Sequence, residues 1–536
     1  MSLVTRMRPG EGRAAQLFFL HAFLLMASQQ VVKALREAFM LTKFTPEVRS
    51  YAVALVAVVL MLVVPLYSRL RRHVDGDQLL RFVTIFFVVT LPLLGVLSLR
   101  GVPIAFVFYV WVGIYGVMVI AQMWAFAADS FNVKSGQRLF VVIVLGANIG
   151  ALVGAKVVSL SVATLGPQGL MLLATVMIGS TLFLARPERE SVPEGSQATT
   201  VHRENRGPPR LLGGIGLVLK DPYLLMIALF VVLLNWINST GEFILSDFVR
   251  SHATAHGAEF GDLAKQTYIA AFYGNFSFWV TLISFTIQLL LVSRIYQLIG
   301  VTGALLVHPV ILALGYGLMV AMPFLGGFIP IFAMIRRVKL ADNGVDYSLM
   351  NTTRQAMFLP VERDAKYEGK MTIDTFFVRF GDLIQAGTVF IGLHLIGWVP
   401  HEFVLLNFML CLVWIVLAVA MGRAYRGKVA QSSTNGAPEP ADPIPDLHCS
   451  PGRPFRHALP ANSFRDPDPG DVLIYKACCD DGSPLPRWLH FDVWRQAFTG
   501  TLPANVELEE LRVAVVASDM DGLKARSTFS VRRQRD

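Results

Sequence analysis

Residues 341–382, ADNGVDYSLMNTTRQAMFLPVERDAKYEGKMTIDTFFVRFGD, form a dense block of charged, amide and hydroxyl side chains between two apolar stretches. From Ala15 to Met421 long apolar runs otherwise dominate, and only Arg186–Lys220 is comparably polar. The chain is 54% hydrophobic and 16% charged, with mean hydropathy +0.54. A soluble domain cannot hide that much apolar surface, so the composition specifies a polytopic membrane protein. In such a protein a polar block is either solvated or turned toward an aqueous cavity. It is read here as a loop joining two membrane helices.

A bilayer core about 30 Å thick needs about 20 helical residues. Twelve stretches qualify, among them 15–33, 222–240, 322–338 and 383–399. The first continues into further spans and lacks a small-residue cleavage site, so no cleavable signal is expected. Lys and Arg crowd the loops that lie inside if the N-terminus is cytoplasmic, and both termini are therefore expected inside, in an inner membrane. On that scheme the block 341–382 is cytoplasmic. The net charge of +9 sits in short loops beside helices, a topology signal and not a nucleic-acid surface.

Residues 186–221 form a cytoplasmic linker between a six-helix bundle at 1–185 and a second at 222–422. Ser68-Arg69 and Ser293-Arg294 end the second helix of each half, an echo consistent with parallel repeats around a central pathway. Residues 423–452, with Pro438, Pro440, Pro443 and Pro445, read as a flexible linker. The segment 453–536 reads as a small β-sandwich, from the runs DVLIYKA, ELRVAVVAS and STFSVR with turn signals between them.

Four constellations stand out. Lys33, Arg36 and Glu37 close the first helix, either binding an anion in a cavity or snorkelling as an outer ion pair. Asp129 and Arg138, after the fourth helix, read as a cytoplasmic gate, as do Asp346 and Arg354. Asn235, Asn238 and Glu242 share a broad face of the seventh helix and either line the cavity or bond neighbouring helices. Arg379 and Asp382, at the end of the block, are the part of it expected to reach the substrate path. His21 and His308 lie in apolar helices, to be satisfied by neighbours or to relay protons. No Walker, GxGxxG, HExxH or nucleophile-elbow motif occurs, so no enzyme chemistry is expected in the membrane part.

Three separated motifs carry a resemblance: YSLMNTTRQAMFLPVERDAKYEGKMTIDTFFVRFGD, WAFAADSFNVKSGQRLFVVIVLGANIGALVGA from Trp124 to Ala155, and FYGNFSFWVTLISFTIQLLLVSRI from Phe272 to Ile295. Over roughly residues 10–425 the chain resembles the bacterial ATP/ADP translocase family of nucleotide-exchange transporters, which is similar in fold to major-facilitator transporters. The resemblance implies alternating access and a small anionic, nucleotide-class substrate. Arg36-Glu37 matches the family's basic-acidic pair. The fourth helix lacks the family's acid, and Asp382 stands where a lysine is expected. The tail resembles dystroglycan-type cadherin-like modules, related to immunoglobulin-like repeats, through its DPD turn, DGSPLPRWLHFD, FTGT and ASDMDG. That resemblance implies a calcium site at Asp466, Asp468, Asp471, Asp519 and Asp521, although Pro469 interrupts the usual DPDGD. Calcium is the one cofactor this reading admits, and the alternative is solvated turn aspartates. Trp488 and Phe498 read as core. A second reading makes the chain a membrane-anchored interaction or sensory protein whose tail binds an unknown protein partner.

Overall fold

The computed structural model describes residues 11–70, 76–130, 133–184, 211–324, 330–361, 363–432, 436–460, 462–467, 473–493, 495–506, 509–519 and 523–534. It divides into two compact units, Met1–Arg426 and Gly427–Asp536.

The first unit is helical: α1 (Glu11–Lys43), α2 (Pro46–Leu70), α3 (Gly76–Leu99), α4 (Ala105–Ser130), α5 (Val133–Leu184), α6 (Leu211–Lys220), α7 (Pro222–Leu290), α8 (Val292–Ala321), α9 (Ile331–Val345), α10 (Asn351–Met357), α11 (Arg363–Thr372), α12 (Val378–Phe390) and α13 (Pro400–Ser432). Three of these are pairs of arms. Gly166 (φ 67°), followed by Pro167, breaks α5, Gly261 (φ 79°) breaks α7, and Gly300 (φ 64°) breaks α8 near its start. Only glycine adopts such a backbone without penalty. Among the described residues nine stretches are long and apolar enough to span a bilayer, and Ala105–Met118 is a shorter apolar helix. Dividing α5 at Gly166 and adding α9–α10, too polar to score as a span, gives six helices in each half.

The block 341–382 is not a loop. A π-helical turn, Asp346–Met350, joins α9 to α10, and another, Ile373–Phe377, joins α11 to α12. Only the turn near 358–361 separates the two rods. The spans placed at 322–338 and 383–399 therefore shift into the polar sequence, to Ile331–Met357 and Glu368–Ile396. The reason is tertiary. Polar side chains that recur at helical spacing are paid for by partners on other helices, which a hydropathy window does not see.

α5 carries Gly146, Gly150 and Gly154 at four-residue spacing, and the backbone of α1 lies against all three. A Cβ on Gly150 would stand 2.7 Å from the Cα of Phe23, and one on Gly154 2.6 Å from the Cα of Ala27. Small residues at this spacing let two helix backbones approach closely within a membrane. Gly150→Ala is expected to cost about 1–3 kcal/mol through overpacking. Gly216→Ala, where a Cβ meets nothing within 4 Å, is expected to be neutral. Thermal unfolding of the two purified variants makes the comparison.

The second unit is a β-sandwich. One sheet has the order β2-β9-β8-β5, from β2 (Leu447–Cys449), β5 (Ile474–Cys479), β8 (Leu511–Ser518) and β9 (Lys524–Arg533). The other is β3-β7-β6, from β3 (Pro454–Ala458), β6 (Leu489–Asp492) and β7 (Ala497–Thr501), and a small ribbon pairs β1 (Glu439–Pro440) with β4 (Phe464–Arg465). Alternating side chains of both sheets share one core. Phe498 is fully buried and meets Phe529 edge-on at 5.1 Å, and Trp488 packs against the same cluster. The region 423–452, read as a linker, instead holds the end of α13 and the strands β1 and β2. β2 completes the larger sheet by pairing parallel to β9, a long-range contact that its Pro-rich surroundings conceal.

Candidate functional site

Lys33, Arg36 and Glu37 lie within about one helical turn inside α1, which continues past them to Lys43 instead of closing there, and α2 starts three residues beyond α1. That tight connection brings Arg49 back beside Glu37. The Glu37 carboxylate accepts from Arg36 at 2.5 Å and from Arg49 at 2.6 Å. The Arg36 guanidinium also lies over the Tyr109 ring, 4.3 Å from its centroid.

The facing half presents Glu242 on α7 and Lys339 on α9. The Lys339 ammonium is fully buried, 2.6 Å from Asp342 and 3.3 Å from Glu242, and donates to the Asn238 carbonyl at 3.1 Å. Gly241 leaves room for it, since a Cβ there would stand 3.0 Å from the lysine Cδ. Asp342 also bonds His308 Nε2 at 2.8 Å. Asn343 donates to Glu242 and accepts from Asn238, both at 3.1 Å. The two clusters meet where Arg49 comes within 3.8 Å of Glu242. Buried charges of this kind persist only when paired and hydrogen-bonded.

Between the clusters lies a cavity of about 160 Å³. Lys33, Arg36, Glu37, Arg49, Asn238, Glu242, Asn343 and Tyr347 supply its polar lining, with Tyr273, Phe276 and Ser277 from the second arm of α7. Aromatic walls and convergent cations are what a small organic anion requires. Arg36, Arg49 and Lys339 are each held by carboxylates, whereas Lys33 makes no ion pair among the described residues.

The structure thus brings five of the expected residues together: Lys33, Arg36, Glu37, Asn238 and Glu242. Asn235 instead donates to the Val231 carbonyl of its own helix. Arg379 and Asp382 pair with each other at 3.6 Å, and Asp382 accepts from Ser239 at 2.8 Å, outside the cavity lining. Of the gate residues, Arg354 donates to Asn351 at 3.4 Å within α10, and Asp346 lies in the π-helical turn one helical turn beyond Asp342. The side chains of Asp129 and Arg138 lie outside the described residues. Of the proposed calcium ligands, Asp468, Asp471 and Asp521 also lie outside them. Asp519 accepts from the Leu523 amide at 2.8 Å, capping its own turn, and Asp466 is half-buried. No group of three or more metal-ligating side chains occurs among the described residues. Sequence reasoning missed Arg49, Lys339, Asp342 and Asn343. For the last three the signal was present: Lys339, Asp342, Asn343 and Asp346 repeat at i, i+3, i+4 and i+7, a polar stripe down one helix face.

Six helices and six, with a charged cavity shared by the two halves, define the architecture of the major-facilitator-type transporters, in a multi-pass membrane protein. Solved structures agree. The nucleoside transporter NupG matches with a TM-score of 0.52 at 13% identity, over 77% of this chain and 99% of that one. The POT family transporter PepTSo matches with a TM-score of 0.52 at 15% identity, over 79% of this chain and 99% of that one. In sequence the chain is similar to ADP,ATP carrier protein 1 of Chlamydia pneumoniae, 24% identical over 376 residues, 63% of this chain and 70% of the relative. It is also similar to ADP,ATP carrier protein 1 of Chlamydia trachomatis, 22% identical over 353 residues, 60% of this chain and 65% of the relative. Residues 437–534 match the putative Ig domain family.

Proposed function

We propose that the membrane unit is a secondary transporter that moves a small organic anion of the nucleotide class by alternating access. The observation that carries this reading is the cavity between the halves, where Lys33, Arg36 and Arg49 face Glu242, itself held from behind by Lys339. Its cations are nearly balanced by carboxylates, so an incoming anion competes with Glu37 and Glu242 for Arg36 and Arg49. Taking Arg49 loosens its link to Glu242, which ties one half to the other. Substrate binding is thereby coupled to the relative stability of the two access states. The similarity to ADP,ATP carriers supports a nucleotide. The carboxylate of Asp382, tied to Arg379 and Ser239, weighs against the heaviest phosphate charge. The Lys and Arg distribution supports cytoplasmic termini in an inner membrane.

Proteoliposomes loaded with ADP and given labelled ATP test the proposal. Uptake should exceed that of empty vesicles by about tenfold or more, and Lys33→Gln should weaken the apparent affinity by about tenfold, the value of one charge-assisted contact. Folded protein that exchanges neither nucleotide removes the nucleotide. Failure with a wider panel of anions removes the transporter.

A further inference from the structure

A second cavity, of about 350 Å³, lies on the flank of the bundle between α9 and the second arm of α7. Trp279, Phe332, Ala333 and Leu340 make its walls, and the only charged groups lining it are Arg336 and Arg337. Trp279 is 44% exposed, as a side chain facing hydrocarbon would be. Neither arginine forms an ion pair among the described residues. Arg336 Nε is buried without a hydrogen-bond partner, and its guanidinium lies 5.8 Å from the Phe272 ring centroid. The other titratable groups beside the groove, Tyr268 near Arg336 and His252 stacked on Phe332 at 4.2 Å, supply no carboxylate.

Two adjacent cations on a membrane helix are costly unless something neutralises them. Arg336 is five residues into α9, about 7–8 Å along the axis, and so near one end of the rod formed by α9 and α10 and not at its middle. We propose that this groove is a binding site for an anionic phospholipid. Its phosphate sits on Arg336 and Arg337, and an acyl chain lies along Phe332, Leu340 and Trp279. Charge selects the lipid. A zwitterionic headgroup would bring its own ammonium to two guanidiniums, whereas a net anion would not. The apolar walls distinguish a lipid from free phosphate, which has nothing to place there. The site is separate from the central cavity and does not depend on the transport reading.

Native mass spectrometry of the full-length protein, delipidated and titrated with phosphatidylglycerol, phosphatidylcholine or inorganic phosphate, tests this. Phosphatidylglycerol should bind about tenfold or more tighter than phosphatidylcholine and should survive millimolar-range phosphate, as two juxtaposed arginines imply. The R336Q/R337Q protein, verified monodisperse, should lose that preference, and R336K/R337K should keep most of it. Equal binding of both lipids by the native protein would overturn the site, as would displacement by phosphate or a preference that survives R336Q/R337Q. The comparison among lipids needs only the native protein, so a variant that fails to fold leaves the test intact.

Discussion

Lys339→Met is expected to destabilise the membrane unit by about 3–5 kcal/mol, the cost of removing one partner from a buried ion pair. Methionine nearly matches lysine in length and volume, so no cavity opens and the loss is electrostatic. Lys339 has no exposed surface, and its ammonium lies 2.6 Å from Asp342, itself fully buried. Without it Asp342 keeps only His308, and Glu242 keeps Asn343 and the more distant Arg49. A second change separates charge from shape. Asp342→Asn removes the stranded anion but preserves the side-chain outline, so the K339M/D342N protein should recover more than half of the loss. Thermal unfolding of the full-length protein in one detergent measures both. A melting temperature unmoved by Lys339→Met would mean that the cluster does not hold α7, α8 and α9 together. A double variant no better than the single would locate the loss in packing.

Lys339 also shows which parts of this molecule could be read in advance. The helix count could, because lipid-facing stretches must be apolar whatever they pack against. Gly166-Pro167 is the kind of local signal that shows where α5 turns. The polar block misled because a hydropathy window averages over all faces of a helix. In α9 the charge of Asp342 and Lys339 lies on one face and is matched by Glu242, 97 positions or more away, and by His308. Such pairings belong to the folded bundle and leave only the stripe at helical spacing in the sequence. Arg49 left still less. Near the start of α2 it resembles an ordinary loop cation, and only the reversal between α1 and α2 sets it on Glu37. Lys33, Arg36, Glu37 and Glu242 were legible because charge near the end of an apolar run is conspicuous by itself. In the tail, β8 and β9 were legible through alternation, whereas β2 depends on a partner strand some 80 residues later.

Simultaneous Glu47→Ala and Asp262→Ala changes are expected to speed chemical access to the cavity from the end where α1 meets α2 by about 2- to 30-fold. The two halves are tied there. Lys43 holds Asp262 at 2.6 Å, Glu47 meets His394 at 2.5 Å, Gln385 donates to Ser50 at 3.2 Å, and Arg49 approaches Glu242 at 3.8 Å. That end of the pathway is therefore shut, and on the proposed orientation it faces away from the cytoplasm. The first two pairs involve exposed side chains, so each contributes about 0.2–1 kcal/mol, and together they shift a two-state equilibrium by the stated factor. Ser277→Cys in a background lacking the four native cysteines places one thiol on the cavity wall, where an impermeant maleimide reports opening. Raising the salt should speed labelling of the native pairs and have little effect once they are gone, because screening acts only on charges that are present. Arg49 and Glu242 should keep the double variant mostly closed, and nucleotide should open it further by competing for Arg49. Labelling that is indifferent to the paired substitutions and to salt would show that packing closes this end. The Arg49–Glu242 contact would then no longer link binding to access.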